Sequence, residues 1–398
     1  MKKYTVKKGI FCLFILLIVL LFGGMAGVNA VAESEGEEKL NENIVEQLGQ
    51  LDLQALQEYL DSLGNFTNES VAERLLAYIR GEELDYQSFA EQMGTVLFAK
   101  VIEITPAFAC IAAITLLSGL LSTMKSGSNA KTTSEMVFLI TYAAAMIPLV
   151  AILTEWFQLT MESISQMQTQ MQIIFPLMLT LMAASGGTLT AAVCRPAVGF
   201  FATNIVSVIS SVVLPIAVTV IVFSMAGCLT KELKISRFTA FFKSVNKWLI
   251  GICVSAFGIF FTLQGVTAAG YDGIMRRTTK YVIGNGIPIV GGFLSGGFDL
   301  AVAGSVLIKN SLGTMSIFLI FTVIFEPLIL LISVNLLLRL TAALTQSFGD
   351  GRISDFLGET ADNLHYCTAG LLFTAFLYFL SIMLMVCVSE VLFWAGIC

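Results

Sequence analysis

Residues 196–229 read PAVGFFATNIVSVISSVVLPIAVTVIVFSMAGCL, 34 residues without one charged side chain. A helix needs about 20 mostly apolar residues to cross the hydrocarbon of a bilayer, so this run exceeds one crossing. Pro215 sits in its middle, and the run is either one kinked helix with an extension or a tight hairpin. Outward from it, further apolar runs occupy 104–124, 136–153, 173–193, 248–270, 288–308, 315–338 and 367–395. The whole chain of 398 residues is 56% hydrophobic and only 13% charged, with a mean hydropathy of +0.85. Soluble domains carry roughly 25% charged residues. So few charges could not cover a water-facing surface, which excludes soluble globular, disordered, collagenous and disulfide-scaffold proteins. The expectation is an all-α polytopic integral membrane protein of six to eight membrane segments, preceded by a small helical extracytoplasmic head.

The charge is unevenly spread. Residues 33–95 hold 15 acidic and 3 basic side chains, whereas 96–398 hold 13 and 15. Nothing forms the basic face that nucleic acid requires. Ahead of the acidic part, Lys2, Lys3, Lys7 and Lys8 precede an apolar run from Ile10 to Phe22, and Ala30-Val31-Ala32 offers a small-residue cleavage site. Residues 1–32 therefore read as a signal peptide whose cleavage leaves 33–95 as an acidic helical extracytoplasmic region and 96–398 as the membrane domain; an uncleaved anchor is the rival reading. Within the head, Ile44, Leu48, Leu51, Leu56, Tyr59, Leu60 and Leu63 predict one amphipathic helix, and Val71, Leu75, Leu76 and Ile79 a second short one. These form a helical cap on the membrane body or a docking surface for an extracytoplasmic partner.

Positive charge should mark cytoplasmic loops. With the head outside, Lys125 and Lys131 fall inside, the stretch 154–172 outside and Arg195 inside. The rule then conflicts with itself, because 231–247 and 276–280 are both basic and a single apolar run separates them. The stretch 154–172 sets Met161, Ile164, Met167 and Met171 against glutamines and serines, the pattern of a helix lying on the membrane or packed on another subunit. Residues 288–308 carry Gly291, Gly292, Gly296, Gly297 and Gly304. They form either a closely packed helix or a re-entrant segment.

The equipment of the common enzymes is missing from the sequence. One histidine, His365, rules out HExxH, and it reads as a loop or interfacial residue just before the last span. Eight cysteines are scattered without a C-x-x-C spacing and read as packing residues. No phosphate-binding G-x-x-x-x-G-K-[ST] loop occurs, so any energy must come from a partner or an ion gradient. The expectation is a non-enzyme without a cofactor or metal.

Polar groups in the apolar body are the remaining candidates, since charges in membrane segments face a partner or water. They are Lys100 and Glu103 at the first span, then Asp299, Lys309, Glu326 and Glu390. Glu326-Pro327 pairs a mid-span carboxylate with a carbonyl freed by proline; it is an ion or pore-lining group, or a carboxylate paired with a neighbouring helix at a kink. Asp299 and Lys309, ten residues apart, stand about 15 Å apart along one helix and cannot pair within it.

Gln264-Gly265, Ala268-Ala269, Asp272-Gly273, Arg277, Lys280-Tyr281, Ile287-Pro288 and Val290-Gly291-Gly292 form a spaced series that continues through Asp299, Ser305, Lys309-Asn310 and Gly313. With Phe175-Pro176-Leu177 and Ala183-Ala184-Ser185-Gly186-Gly187, this series resembles the stage III sporulation protein AE family of endospore-forming bacteria. The resemblance implies a multi-pass protein of the mother-cell membrane around the engulfed forespore. It implies a place in a secretion-like channel complex, with other membrane proteins and an ATPase as partners and a forespore protein met across the intermembrane space. It points to Asp272, Arg277, Lys280, Gly291, Gly292, Gly296 and Asp299, beside Lys309 and Glu326, as assembly or pore residues. The expected function is a non-enzymatic subunit required for late forespore gene expression and spore development. The alternative is a secondary permease for an ion or small solute, which Glu326→Gln or Asp299→Asn would reveal by abolishing flux while assembly persists.

Overall fold

The computed structural model describes residues 35–63, 70–80, 86–123, 130–188, 191–192, 204–229, 237–260, 291–348 and 351–397, with 199, 235 and 262. Residues 1–32, expected to be a signal peptide, and the basic segment 276–280 lie outside the described residues. Those described are built from helices alone: α1 (Glu35–Gln50), α2 (Gln54–Ser62), α3 (Val71–Ile79), α4 (Tyr86–Thr123) and α5 (Ala130–Ala184). They continue with α6 (204–229), α7 (237–260), α8 (Gly291–Phe348) and α9 (Gly351–Ile397). Five of them contain a stretch long and apolar enough to cross a membrane, namely α4, α5, α6, α8 and α9. α7, with Arg237, Lys243 and Lys247 in its first half, runs beside them.

The expected single helix over 44–63 is two, because the chain turns at Leu51–Leu53, where Asp52 accepts a hydrogen bond from the Gln54 amide at 3.3 Å. α3 is as expected and starts in a capping box. Glu73 N–H donates to Ser70 Oγ at 3.2 Å, and Ser70 N–H to Glu73 Oε2 at 2.9 Å. That pair satisfies two of the amides every helix start leaves over.

Four of the apolar runs merge. α5 joins 136–153 to 173–193 through 154–172, a helix of 55 residues and about 83 Å. α8 joins 288–308 to 315–338 in 58 residues, about 87 Å. From Gly291 onward the backbone is an unbroken helix, so the helical alternative replaces the re-entrant one. The stretch 154–172 is likewise no surface-lying helix but the middle of α5. Its apolar side, including Trp156, Ile164, Met167 and Met171, is buried in the bundle core.

Pro215 does not make a hairpin. Residues 204–229 form one helix in which Ile209–Val213 is a π turn, and Leu214 N–H reaches Ile209 O. The wider turn absorbs the hydrogen bond that Pro215 cannot donate to the turn before it.

α8 and α9 form a long antiparallel hairpin. Ser354 Oγ donates to Ala342 O at 2.8 Å near its closed end, and Lys309 Nζ to Val386 O at 2.9 Å near its open end. α9 occupies the centre, with α5 on one side through Tyr142–Phe356 and Phe175–Tyr378 ring contacts. α6 lies on another side, where Ile209 and Leu214 approach Gly370. α4 joins α8 through a Thr115–Thr345 hydroxyl pair at 3.1 Å. α7 runs from Phe242, packed on Phe223, to Phe257, packed on Phe373. Its basic start therefore lies at the closed end of the α8–α9 hairpin, away from the head.

The head packs on the other end. Gln47 Nε2 donates to Ala301 O at 2.9 Å, and Ser305 Oγ donates to Gln47 Oε1 at 2.9 Å. Gln170 Nε2 donates to the buried Tyr59 hydroxyl at 2.8 Å.

Exposure along the helices locates the bilayer. α5 turns Met136, Leu139, Ile140, Ile147 and Val150 outward. Beyond Val150 its exposed residues are small or polar, among them Thr154, Glu155, Gln158, Glu162, Thr169 and Gln172. α8 exposes nothing among its described side chains before Ile332, then Leu336, Leu340 and Leu344. α6 exposes Asn204, Ser207 and Ser211, then Val212 and Val222. The apolar band runs from Glu135 to Glu155 on α5 and from Glu326 to Gln346 on α8. End to end each covers about 20 helical steps, about 30 Å, the thickness of the hydrocarbon layer. This is a multi-pass membrane protein, and the head-side halves of α5, α8 and α9 extend past the band.

Candidate functional site

Helix α9 enters the apolar band with a polar stripe. Asp355, Glu359, Asp362 and Tyr366 follow one another at steps of four, three and four residues, which places them on one face. The hairpin register sets their depth. Asn335 Nδ2 donates to Ala361 O at 2.7 Å and Ser354 Oγ to Ala342 O, so the stripe lies beside residues 335–342 of α8. Leu336, Leu340 and Leu344 face lipid at that level.

On the α8 side, Arg339 Nη2 meets Asp362 Oδ1 at 2.8 Å, and its Nε donates to Asn335 Oδ1 at 2.9 Å. The same Nη2 stands 3.4 Å from His365 Nε2; a guanidinium only donates, so Nε2 is the acceptor in that contact. On the α6 side, Ser224 Oγ donates to Glu359 Oε2 at 3.1 Å and accepts from Asn363 Nδ2 at 3.1 Å. Cys228 lies within electrostatic reach of Glu359 and Asp355.

His365 is therefore not in a loop. It sits inside a helix of 47 residues, turned toward Arg339. Sequence reasoning missed this cluster because its halves are separated by the hairpin turn. The periodic placing of Asp355, Glu359 and Asp362 was the available signal.

The residues singled out from sequence do not converge on one place. Asp272, Arg277 and Lys280 lie outside the described residues. Gly291, Gly292, Gly296 and Asp299 stand in the first turns of α8. Lys309, fully buried, donates to the Met385 and Val386 carbonyls of α9 at 3.3 and 2.9 Å. Glu326 pairs with Lys100 of α4 at 3.3 Å, and Lys100 also meets Glu103 at 3.3 Å. That trio borders the apolar band on the head side. Among the described residues, no group of three or more His, Cys, Asp or Glu side chains is placed to hold a metal ion.

The family model described as stage III sporulation protein AE matches residues 71–389. The chain belongs to the stage III sporulation protein AE family. It is similar to the stage III sporulation protein AE of Bacillus subtilis (strain 168), with 23% identity over 380 residues covering 92% of this chain and 95% of that one. No solved structure matches. Membership supports a role in sporulation, and the family's name describes a sporulation protein rather than an enzyme class. The matched stretch spans α3 to α9 and so contains both the lipid-facing band and the charged cluster.

Proposed function

We propose that this chain is a non-enzymatic membrane subunit of a secretion-like channel complex joining the mother cell to the engulfed forespore, resident in the mother-cell membrane that surrounds the forespore. The family match over α3 to α9 carries the reading. Support also comes from the shape of the head side, where α5 leaves the apolar band with a continuous polar outer stripe. A stripe of that kind suits water and protein neighbours in an intermembrane space. The partners are other membrane proteins of the complex, an ATPase that supplies energy and, across the gap, a forespore protein. In this role the protein sustains late forespore gene expression and spore development.

Deleting the gene in its native host and imaging sporulating cells with a late forespore reporter tests this. Engulfment should complete while the forespore loses reporter activity and shrinks, and crosslinking through residues 33–95 should then capture partners. Normal spores would remove the reading. The second reading, a permease for an ion or small solute, draws on the charged cluster at membrane depth. It predicts solute flux in vesicles holding this protein alone.

A further inference from the structure

The face of α9 that carries Asp355 and Glu359 poses an electrostatic problem. Both carboxylates are exposed, at the level where α8 turns Leu336 to Leu344 toward lipid. Asp362 is matched by Arg339. Asp355 and Glu359 have no ion-pair partner among the described residues. A carboxylate facing hydrocarbon is costly even on the mildest insertion scale. These two side chains therefore do not face lipid.

A second observation concerns two buried amides. Asn363 is 1% exposed, and its Oδ1 has no hydrogen-bond partner, although its Nδ2 is bonded to the Ser224 oxygen that also bonds Glu359. Asn246 of α7 is fully buried, and neither of its polar atoms has a partner. It lies one turn beyond Phe242, whose ring packs on Phe223, the residue before Ser224. Buried polar atoms are almost always satisfied by protein, water or a ligand. A carboxylate, a hydroxyl and a free amide carbonyl side by side make an oxygen donor set suited to a hard cation, and one charged ligand among neutral ones suits a monovalent ion.

We propose that the groove between α6, α8 and α9 is a water-filled crevice that binds a monovalent alkali cation. It opens at the end of the bundle away from the head. Glu359 is the charged ligand, Ser224 Oγ and Asn363 Oδ1 are neutral ligands, and Asp355, one turn nearer the mouth, draws cations in. Arg339 offsets Asp362 and leaves the other two carboxylates free to attract. The site stands independently of the sporulation reading and survives or falls on its own test.

The test reads the native thiol of Cys228, one turn from Ser224 and within electrostatic reach of Glu359 and Asp355, in the full-length protein in membrane vesicles of both orientations, with modification of that residue followed by peptide mass spectrometry, so that every proposed ligand stays in place. The probes are a cationic and an anionic methanethiosulfonate, both membrane-impermeant, and a permeant maleimide. The cationic reagent should react about tenfold faster than the anionic one, and only from the side away from the head. Replacing N-methylglucamine chloride by sodium or potassium chloride at equal ionic strength should slow it at least about threefold, the occupancy effect of a bound ion. Adding Asp355→Asn and Glu359→Gln should erase both effects. Glu359→Cys is the second probe, read at the introduced thiol; there the charge preference should persist through Asp355 and the alkali-ion effect should vanish. Reaction with the maleimide alone would overturn the proposal in favour of a covering helix. Equal reaction with both charged reagents, or indifference to alkali ions, would reduce the groove to a wet cleft without a cation site.

Discussion

At the scale of single residues, two buried or half-buried cations carry different loads. Arg339 is held by Asn335 and Asp362 and touches His365. Removing its charge takes away the Arg339 ion pair from Asp362 at membrane depth. Arg339→Gln should destabilise the protein by on the order of 2–3 kcal/mol, and adding Asp362→Asn should recover most of that loss in a double-mutant cycle of unfolding temperatures in detergent. Lys309 is wholly enclosed, and its stem fills space between α8 and α9 while its ammonium bonds two carbonyls. Lys309→Ala should cost about 3 kcal/mol or more from cavity and lost hydrogen bonds together, with Lys309→Met intermediate. In the head, the Ser70 cap holds the Glu73 carboxyl below its ordinary range. A depressed folded value means the cap supports α3 at neutral pH and fades as pH falls through that lowered value. Protection of the amides across residues 71–76, taken relative to the intrinsic exchange rate at each pH, should fall on acidification, and Glu73→Gln, which removes the titrating carboxyl that the Ser70 backbone N–H bonds, should remove the pH dependence.

Among elements, α8 and α9 approach closely at Gly313, where an added Cβ would stand 2.7 Å from Val386 Cγ2. Gly313→Ala should destabilise by about 1–3 kcal/mol through overpacking, and Val386→Ala should rescue it; thermal unfolding of the two single variants and the pair decides. Element types were legible from periodicity, and element continuity was not. Residues 154–172 show the same apolar and polar faces whether a helix lies on a membrane or stands out of one as part of α5. Only the burial of Trp156 and Met167 in the core of the bundle makes the difference. The glycines of 288–308 suggested a break, yet small residues also let helices approach closely, and Gly304 is where Asn43 and Gln47 of the head come within 3.0 and 3.2 Å of a built Cβ. The charged cluster was illegible for a related reason. Arg339 and Asp362 each fall near a run that reads as an ordinary loop or span edge, and nothing local says they meet.

For the whole molecule, the band of exposed apolar residues makes a prediction about insertion. Ile140→Asp on the band should lower the membrane-integrated yield by an amount corresponding to about 2.5–3.5 kcal/mol. Thr169→Asp, about 43 Å farther along the same helix, should leave the yield unchanged. Quantifying the protein in washed membranes distinguishes the two. Helix α8, which bears part of the band, is continuous along its length, with Pro327 the one place inside it where a backbone N–H is missing. Between Ser305, which grips Gln47 of the head, and Thr345, which meets α4 at the opposite border, α8 runs for 40 residues, about 60 Å, as one helix. It is a lever with its fulcrum in the bilayer. A lean of about 10° about a point near Leu336, mid-band, would carry Ser305, about 46 Å away, sideways by about 8 Å, so whatever grips the head from outside can tug on the charged groove on the other side of the fulcrum.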